Sequence, residues 1–253
     1  CNISGACNAG LNQFDDAIKN YKKALKIKPD YAEANNNLGN ALQANGEKVA
    51  AIDSYRQALK IKPDYAEAYS NLGVILKELG RLEESQISLI QAITLQPDYA
   101  EAHNNLGNTL KELGRLDEAE ASYTKAIGLK PNVTDVLRNR WQLLFNNKQY
   151  ESALIDADQC ISKGAIEIDL TTLYALGRIE EIYDRIEIQS KVDSENISIA
   201  SFAAFIAESE KKQTAYNFCP NPIDFIHISN LSSHLKDSSK YIKDVIDELN
   251  MIE

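Results

Sequence analysis

The chain has 253 residues, 27 basic and 37 acidic, for a net charge of −10. That balance argues against binding a nucleic-acid backbone, which needs a basic face, and against docking on anionic membranes. The longest apolar run, 197–207 with serines inside it, is too short to span a bilayer, and no secretory signal is visible.

The chain opens on Cys1 rather than Met, and Phe14, Ala17, Tyr21, Ala24 and Pro29 follow in a helical register already under way. A lipidated N-terminal cysteine would explain such a start. We expect instead a fragment whose first repeat is truncated, since an intact array starts on a whole helix or a polar cap. From there a block of text recurs. Pro29, Pro63, Pro97 and Pro131 are 34 residues apart, and Pro-Asp-Tyr-Ala-Glu-Ala stands at 29–34, 63–68 and 97–102. Asn-Leu-Gly follows at 37–39, 71–73 and 105–107. A fixed period of this size signals a solenoid in which each unit buries its apolar face on the next.

Numbering each repeat from the alanine after the tyrosine puts the proline at position 32, giving repeats at 32–65, 66–99 and 100–133. The last two agree at 19 of 34 positions, so they are copies of one structural unit. Apolar residues fall every three to four places, as in Leu72, Leu76 and Leu79, which is helix periodicity. Gly46, Gly80 and Gly114 mark a turn, and a second helix carries Ala51, Tyr55 and Ala58 or Ala119, Tyr123 and Ala126. Asp30, Asp64 and Asp98 are placed to cap the first helices, with Glu33, Glu67 and Glu101 as capping-box partners. Gly39, Gly73 and Gly107 suit a close approach between the two helices of a pair.

These residues resemble the tetratricopeptide repeat family: Leu72, Gly73, Leu76, Leu82, Ala92 and Pro97 in one repeat, and Leu106, Gly107, Leu110, Leu116, Ala119, Tyr123, Ala126 and Pro131 in the next. The resemblance implies an all-α solenoid, a right-handed superhelix of antiparallel helix pairs. Lys48, Ser85 and Leu89 depart from the pattern. Residues 1–133 are therefore expected to form the array. Degenerate pairs follow over 134–191, where Trp141 takes a glycine position and 175–182 echoes 112–119. An extra helix is expected over 192–216, and a linker with the start of a truncated region over 217–253.

In this family the first helix of each pair lines the concave side. The resemblance places Glu33, Asn36, Asn40 and Gln43 there, then Glu67, Ser70, Val74 and Lys77, then Glu101, Asn104, Asn108 and Lys111. Beside them runs a ladder of Asn37, Asn71 and Asn105, similar to that of the O-linked N-acetylglucosamine transferase superhelix. A carboxamide both donates and accepts, so such a row suits the backbone of an extended peptide. It is accounted for equally well as repeat consensus, solvated or bonded between helices. Candidate peptide-binding residues are thus Asn36, Asn37, Asn40, Asn71, Lys77, Asn104, Asn105, Asn108 and Lys111. Acidic residues at the inner positions argue against a ligand held by its C-terminal carboxylate, and a basic or neutral segment is expected.

No catalytic constellation is visible. His103, His227 and His234 begin no His-x-Asp/Glu pair, and no phosphate loop, serine elbow or zinc motif occurs. No cofactor or metal is expected. Cys1, Cys7, Cys160 and Cys219 form no CxxC pair and fit a reducing cytoplasm. The function expected is a protein- or peptide-binding scaffold. The alternative rests on a weaker resemblance of 140–253 to proteins whose repeats precede a 2-oxoglutarate/Fe(II) oxygenase domain, or, second, a glycosyltransferase. This chain would then be the recognition arm of a larger enzyme. The sequence does not determine oligomeric state.

Overall fold

A proline every 34 residues, with a helix-breaking turn midway between, leaves the chain only short helices of about three and a half turns. The computed structural model describes residues 14–131, 133–161, 166–192 and 206. Eleven helices are described: α1 (Phe14–Ile27), α2 (Ala32–Ala44), α3 (Lys48–Ile61), α4 (Ala66–Glu78), α5 (Leu82–Leu95), α6 (Ala100–Glu112), α7 (Leu116–Leu129), α8 (Thr134–Asn146), α9 (Tyr150–Ile161), α10 (Ile166–Ala175) and α11 (Ile179–Val192). No strand occurs among the described residues. The chain divides into two units, 1–164 and 165–253.

In the first unit α2/α3, α4/α5, α6/α7 and α8/α9 are helix pairs, and α1 packs on α2. The first helices of successive pairs approach one another more closely than the second helices do, which sets α2, α4, α6 and α8 on the inner side of the curve. The core runs across repeats rather than within them. One buried cluster joins Ala17, Ile18 and Tyr21 to Leu38, Leu42, Ile52 and Tyr55, and on to Leu72, Ile75 and Leu76. A second joins Leu110, Ala119, Tyr123 and Ala126 to Val136 and Leu143.

Each first helix ends in the same way. The amide of Glu47 donates to the carbonyl of Leu42, that of Arg81 to Leu76 and that of Arg115 to Leu110, at 2.8–2.9 Å. This six-to-one closure needs a residue with positive φ just past the helix. Gly46, Gly80 and Gly114 provide it at 82°, 73° and 75°. The same closure ends α8, from Gln149 to Leu144, but there Lys148 holds the position at φ 60°. The helices α1, α3, α5 and α7 stop just before Pro29, Pro63, Pro97 and Pro131, which cannot continue them.

The helix starts differ from expectation. Tyr31, Tyr65 and Tyr99 hold the cap positions, with no side-chain cap bond. Asp30, Asp64 and Asp98 lie one residue too early, and the expected capping boxes do not form. Tyr65 lies close to Asn36, and Tyr99 close to Ser70, each on the first helix of its own repeat. Glu33, Glu67 and Glu101 still favour the helices as charges in the first turn.

Departures from the repeat pattern come in matched pairs. Tyr55 and Tyr123 lie across Gly39 and Gly107, and Leu89 lies across Gly73. In the fifth repeat the sizes reverse: buried Trp141 takes the glycine register and Ala157, fully buried, takes the aromatic one. Leu38, Leu72 and Leu106 stand at position 7 opposite Ser54, Ser88 and Ser122 at position 23. In the fifth repeat these positions hold Arg140 and the fully enclosed Asp156, joined by two bonds of 2.8 and 2.5 Å. Arg140 also donates to Thr124 of α7 at 2.9 Å. Ser85, the substituted small residue, donates to the Gly73 carbonyl at 2.7 Å and meets Thr109 at 3.0 Å, so its hydroxyl is satisfied.

In the second unit α10 packs on α11 around Leu170, Leu173, Ile182 and Ile186. Counted from the turn glycine Gly177, Asp169 and Arg185 occupy positions 7 and 23, the same pair with the charges exchanged, 3.8 Å apart. Of the extra helix expected over 192–216, residue 192 is the end of α11, and residue 206 is the one other described position, buried and helical. The linker expected over 217–253 lies outside the described residues.

Candidate functional site

The inner face of the first unit collects nearly all the residues singled out in the sequence. They come from one side of α2, α4 and α6. The opposite sides of these helices are committed to the core through Leu38 and Leu42, Leu72 and Leu76, and Leu110.

Asn36 is a correction. It is fully buried rather than open to a ligand. Its amide donates to Glu67 at 3.0 Å, and its oxygen accepts from Asn71 at 3.0 Å. The α2–α4 junction is close here, and an enclosed carboxamide must find partners within the protein. Asn71 also donates to Asn40 at 3.1 Å, so this member of the ladder ties one repeat to the next. Asn40 is exposed at its surface but accepts a second bond, from the Tyr55 hydroxyl at 2.8 Å. Tyr55 lies 3.0 Å from the Gln43 oxygen as well. Asn108 accepts from Tyr123 at 2.8 Å.

Asn104 accepts from Asn139 at 3.1 Å. Asn139 was not among the expected residues, although it continues the ladder 34 residues beyond Asn105 and could have been found by extending the period. Asn37, Asn105 and Lys111 are half-buried on the same face. Lys77 is engaged with Glu112 of the next repeat at 3.3 Å. Lys48, the polar departure at an apolar position, meets Glu78 at 2.9 Å, and Gln43 donates to the same carboxylate at 3.0 Å. His103 is enclosed beside the Pro97 carbonyl at 3.0 Å.

The electrostatics of the face are acidic. Glu33, Glu67 and Glu101 are exposed along it. Burial, with Glu78 and Glu67 nearby, pushes the Tyr55 hydroxyl well above its ordinary range. Tyr65 is pushed up to about 12, first by burial and then by Glu67 and Glu33. Tyr123 rises through burial and Glu112. These hydroxyls therefore stay protonated and serve as donors at neutral pH. Among the described residues no cluster of three or more His, Cys, Asp and Glu could hold a metal, and no helix is long and apolar enough to cross a membrane.

Family models agree with this architecture. The description "TPR repeat" matches residues 10–46, 49–80 and 75–114, and "Tetratricopeptide repeat" matches 100–133. These residues are tetratricopeptide repeats. Among solved structures, MamA is similar at 27% identity, over 63% of this chain and 94% of that one, with a TM-score of 0.58. PilF of Pseudomonas aeruginosa shares the fold at 22% identity, over 79% of this chain and 94% of that one, with a TM-score of 0.65. YrrB, described as a TPR protein with an unusual peptide-binding site, shares it at 24% identity, over 69% and 87%, with a TM-score of 0.52. No curated protein matches the sequence. The tetratricopeptide fold is thus shared with these proteins, and it is consistent with a role in protein–protein interaction.

Proposed function

We propose that the inner face of the tetratricopeptide array holds an extended protein segment of basic or neutral character, without catalysis by the described residues. The observation that carries this reading is the acidic row Glu33, Glu67 and Glu101, exposed beside half-buried carboxamides on the inner helices. Of the two lysines at position 12 of the inner helices, Lys77 and Lys111, the first is paired with Glu112. A cationic side chain entering the face would meet carboxylates, and a free C-terminal carboxylate would be repelled. A nucleic-acid backbone would be repelled likewise. A repeat protein of this fold, YrrB, has a peptide-binding site. The recognition-arm alternative has no observation in its favour among the family matches or the similar structures named.

Fluorescence polarisation with two labelled octapeptides tests the proposal, one of Lys, Ser and Gly and one of Asp, Ser and Gly. The basic peptide should bind, with affinity falling as salt rises. The acidic one should not. Glu33→Gln with Glu101→Gln should weaken the basic peptide several-fold while helix content is unchanged. Equal binding of both peptides, or binding of neither, overturns the reading.

A further inference from the structure

Along the inner face one repeat differs in a coordinated way. Position 9 reads Asn40, Val74, Asn108, and position 24 reads Tyr55, Leu89, Tyr123. In the flanking repeats the two positions are bonded, hydroxyl to carboxamide, at 2.8 Å. In the middle repeat the hydroxyl and the carboxamide are lost together. Leu89 fills the space over Gly73 and is fully buried, while Val74 stays half-buried at the surface of the face. The exchange leaves no stranded polar atom, so it costs the fold little. It does change what the face offers.

The same exchange alters the next rung of the ladder. Asn71 finds acceptors on positions 5 and 9 of the preceding repeat, Asn36 and Asn40. Asn139 finds one on position 5, Asn104. For Asn105 these positions are Ser70 and Val74. Ser70 is buried and close to Tyr99, and Val74 has no acceptor. The Asn105 carboxamide, half-buried, makes no side-chain hydrogen bond to the preceding repeat.

We infer that Val74 and Asn105 form a specificity socket within the proposed peptide-binding face, and the inference rests on that reading. Val74 takes one aliphatic side chain of the bound segment. Asn105 pairs with the segment's main chain beside that side chain, donating from its amide and accepting at its oxygen. The exposed Glu67 and Glu101, at the starts of the inner helices whose face carries Val74 and Asn105, favour basic residues near the aliphatic one. The occupant is therefore an extended segment with a single aliphatic residue near cationic ones, set in register by the middle repeat.

The test uses two labelled peptides, Gly-Lys-Ser-Leu-Ser-Lys-Gly and the same peptide with Asn in place of Leu. The wild-type chain should bind the Leu peptide about tenfold more tightly, which corresponds to about 1.4 kcal/mol. The double variant Val74→Asn, Leu89→Tyr rebuilds the pair found in both flanking repeats and should bring the ratio near one at unchanged helix content. Val74→Thr, nearly the same in shape, should lower the ratio without repacking. Asn105→Ala should weaken both peptides several-fold. A wild-type ratio near one, with both peptides bound, overturns the socket and leaves the peptide-binding face standing. A ratio that survives Val74→Thr also overturns the socket. Binding of neither peptide overturns both.

Discussion

The same substitution, glycine to alanine, should have opposite signs at two helical sites. At Gly107 a Cβ would fall 2.6 Å from Cε1 and 2.7 Å from Cδ1 of Tyr123, whereas ordinary contact begins near 3.4 Å. The ring cannot yield easily: it is fully buried and its hydroxyl is bonded to Asn108. Overpacking of this kind costs about 1–3 kcal/mol. Displacing the hydroxyl removes about 1 kcal/mol more, and better helix propensity returns up to about 1 kcal/mol. The net expectation for Gly107→Ala is a loss of about 1–3 kcal/mol. Gly39→Ala should behave alike, with Tyr55 Cε1 at 2.5 Å. Gly128 sits inside α7 with nothing within 4 Å of an added Cβ, so Gly128→Ala should stabilise by about 0.5–1 kcal/mol. Urea unfolding followed by far-UV circular dichroism measures the global change. Amide exchange across α6 and α7 measures the local one, since neighbouring repeats need not open together. If Gly107→Ala and Gly128→Ala shift stability in the same direction, the ring-over-glycine packing is wrong.

Two further outcomes follow from the buried polar groups. Arg140→Leu alone strands the enclosed Asp156 and should cost about 3–5 kcal/mol, whereas Arg140→Leu with Asp156→Ser restores the pair of the earlier repeats and should be close to neutral. A double-mutant cycle by urea unfolding decides this, and an equally destabilised double variant would refute it. Stability should also fall at alkaline pH. Tyr65 rises to about 12 when folded, from near 10 when unfolded, so the folded state holds its proton more tightly. That contribution is complete below pH 10 and is lost between about pH 10 and 12, with Tyr55 and Tyr123 acting in the same direction. A melting temperature flat from pH 8 to 11 would contradict the assignment.

Much of the array was legible because each repeat carries its own local instructions. Proline every 34 residues, a turn glycine and a helix-period apolar face are sequence-local properties, and they define the helix pairs without reference to neighbours. Lys148 shows the limit of that logic. The turn at 148 forms with positive φ although no glycine marks it, because the flanking helix pair imposes the closure. The cap aspartates show another. Asp64 has the right chemistry, but the helix begins one residue later, with Tyr65 at the cap position and no side-chain cap bond.

By itself, then, the sequence determined the period, the helix pairs, the acidic character of the inner positions and the lack of a recognisable catalytic motif. Tertiary structure alone decided which carboxamides are engaged. Asn71 and Asn105 hold the same position of successive repeats, yet one bridges repeats and the other makes no side-chain hydrogen bond to the repeat before it, while Asn36, one place before the ladder, is enclosed. The physical reason is that a carboxamide's partners lie about one repeat away. Its role depends on what the neighbouring helix presents at positions 5 and 9, and that becomes visible only when the repeats are stacked.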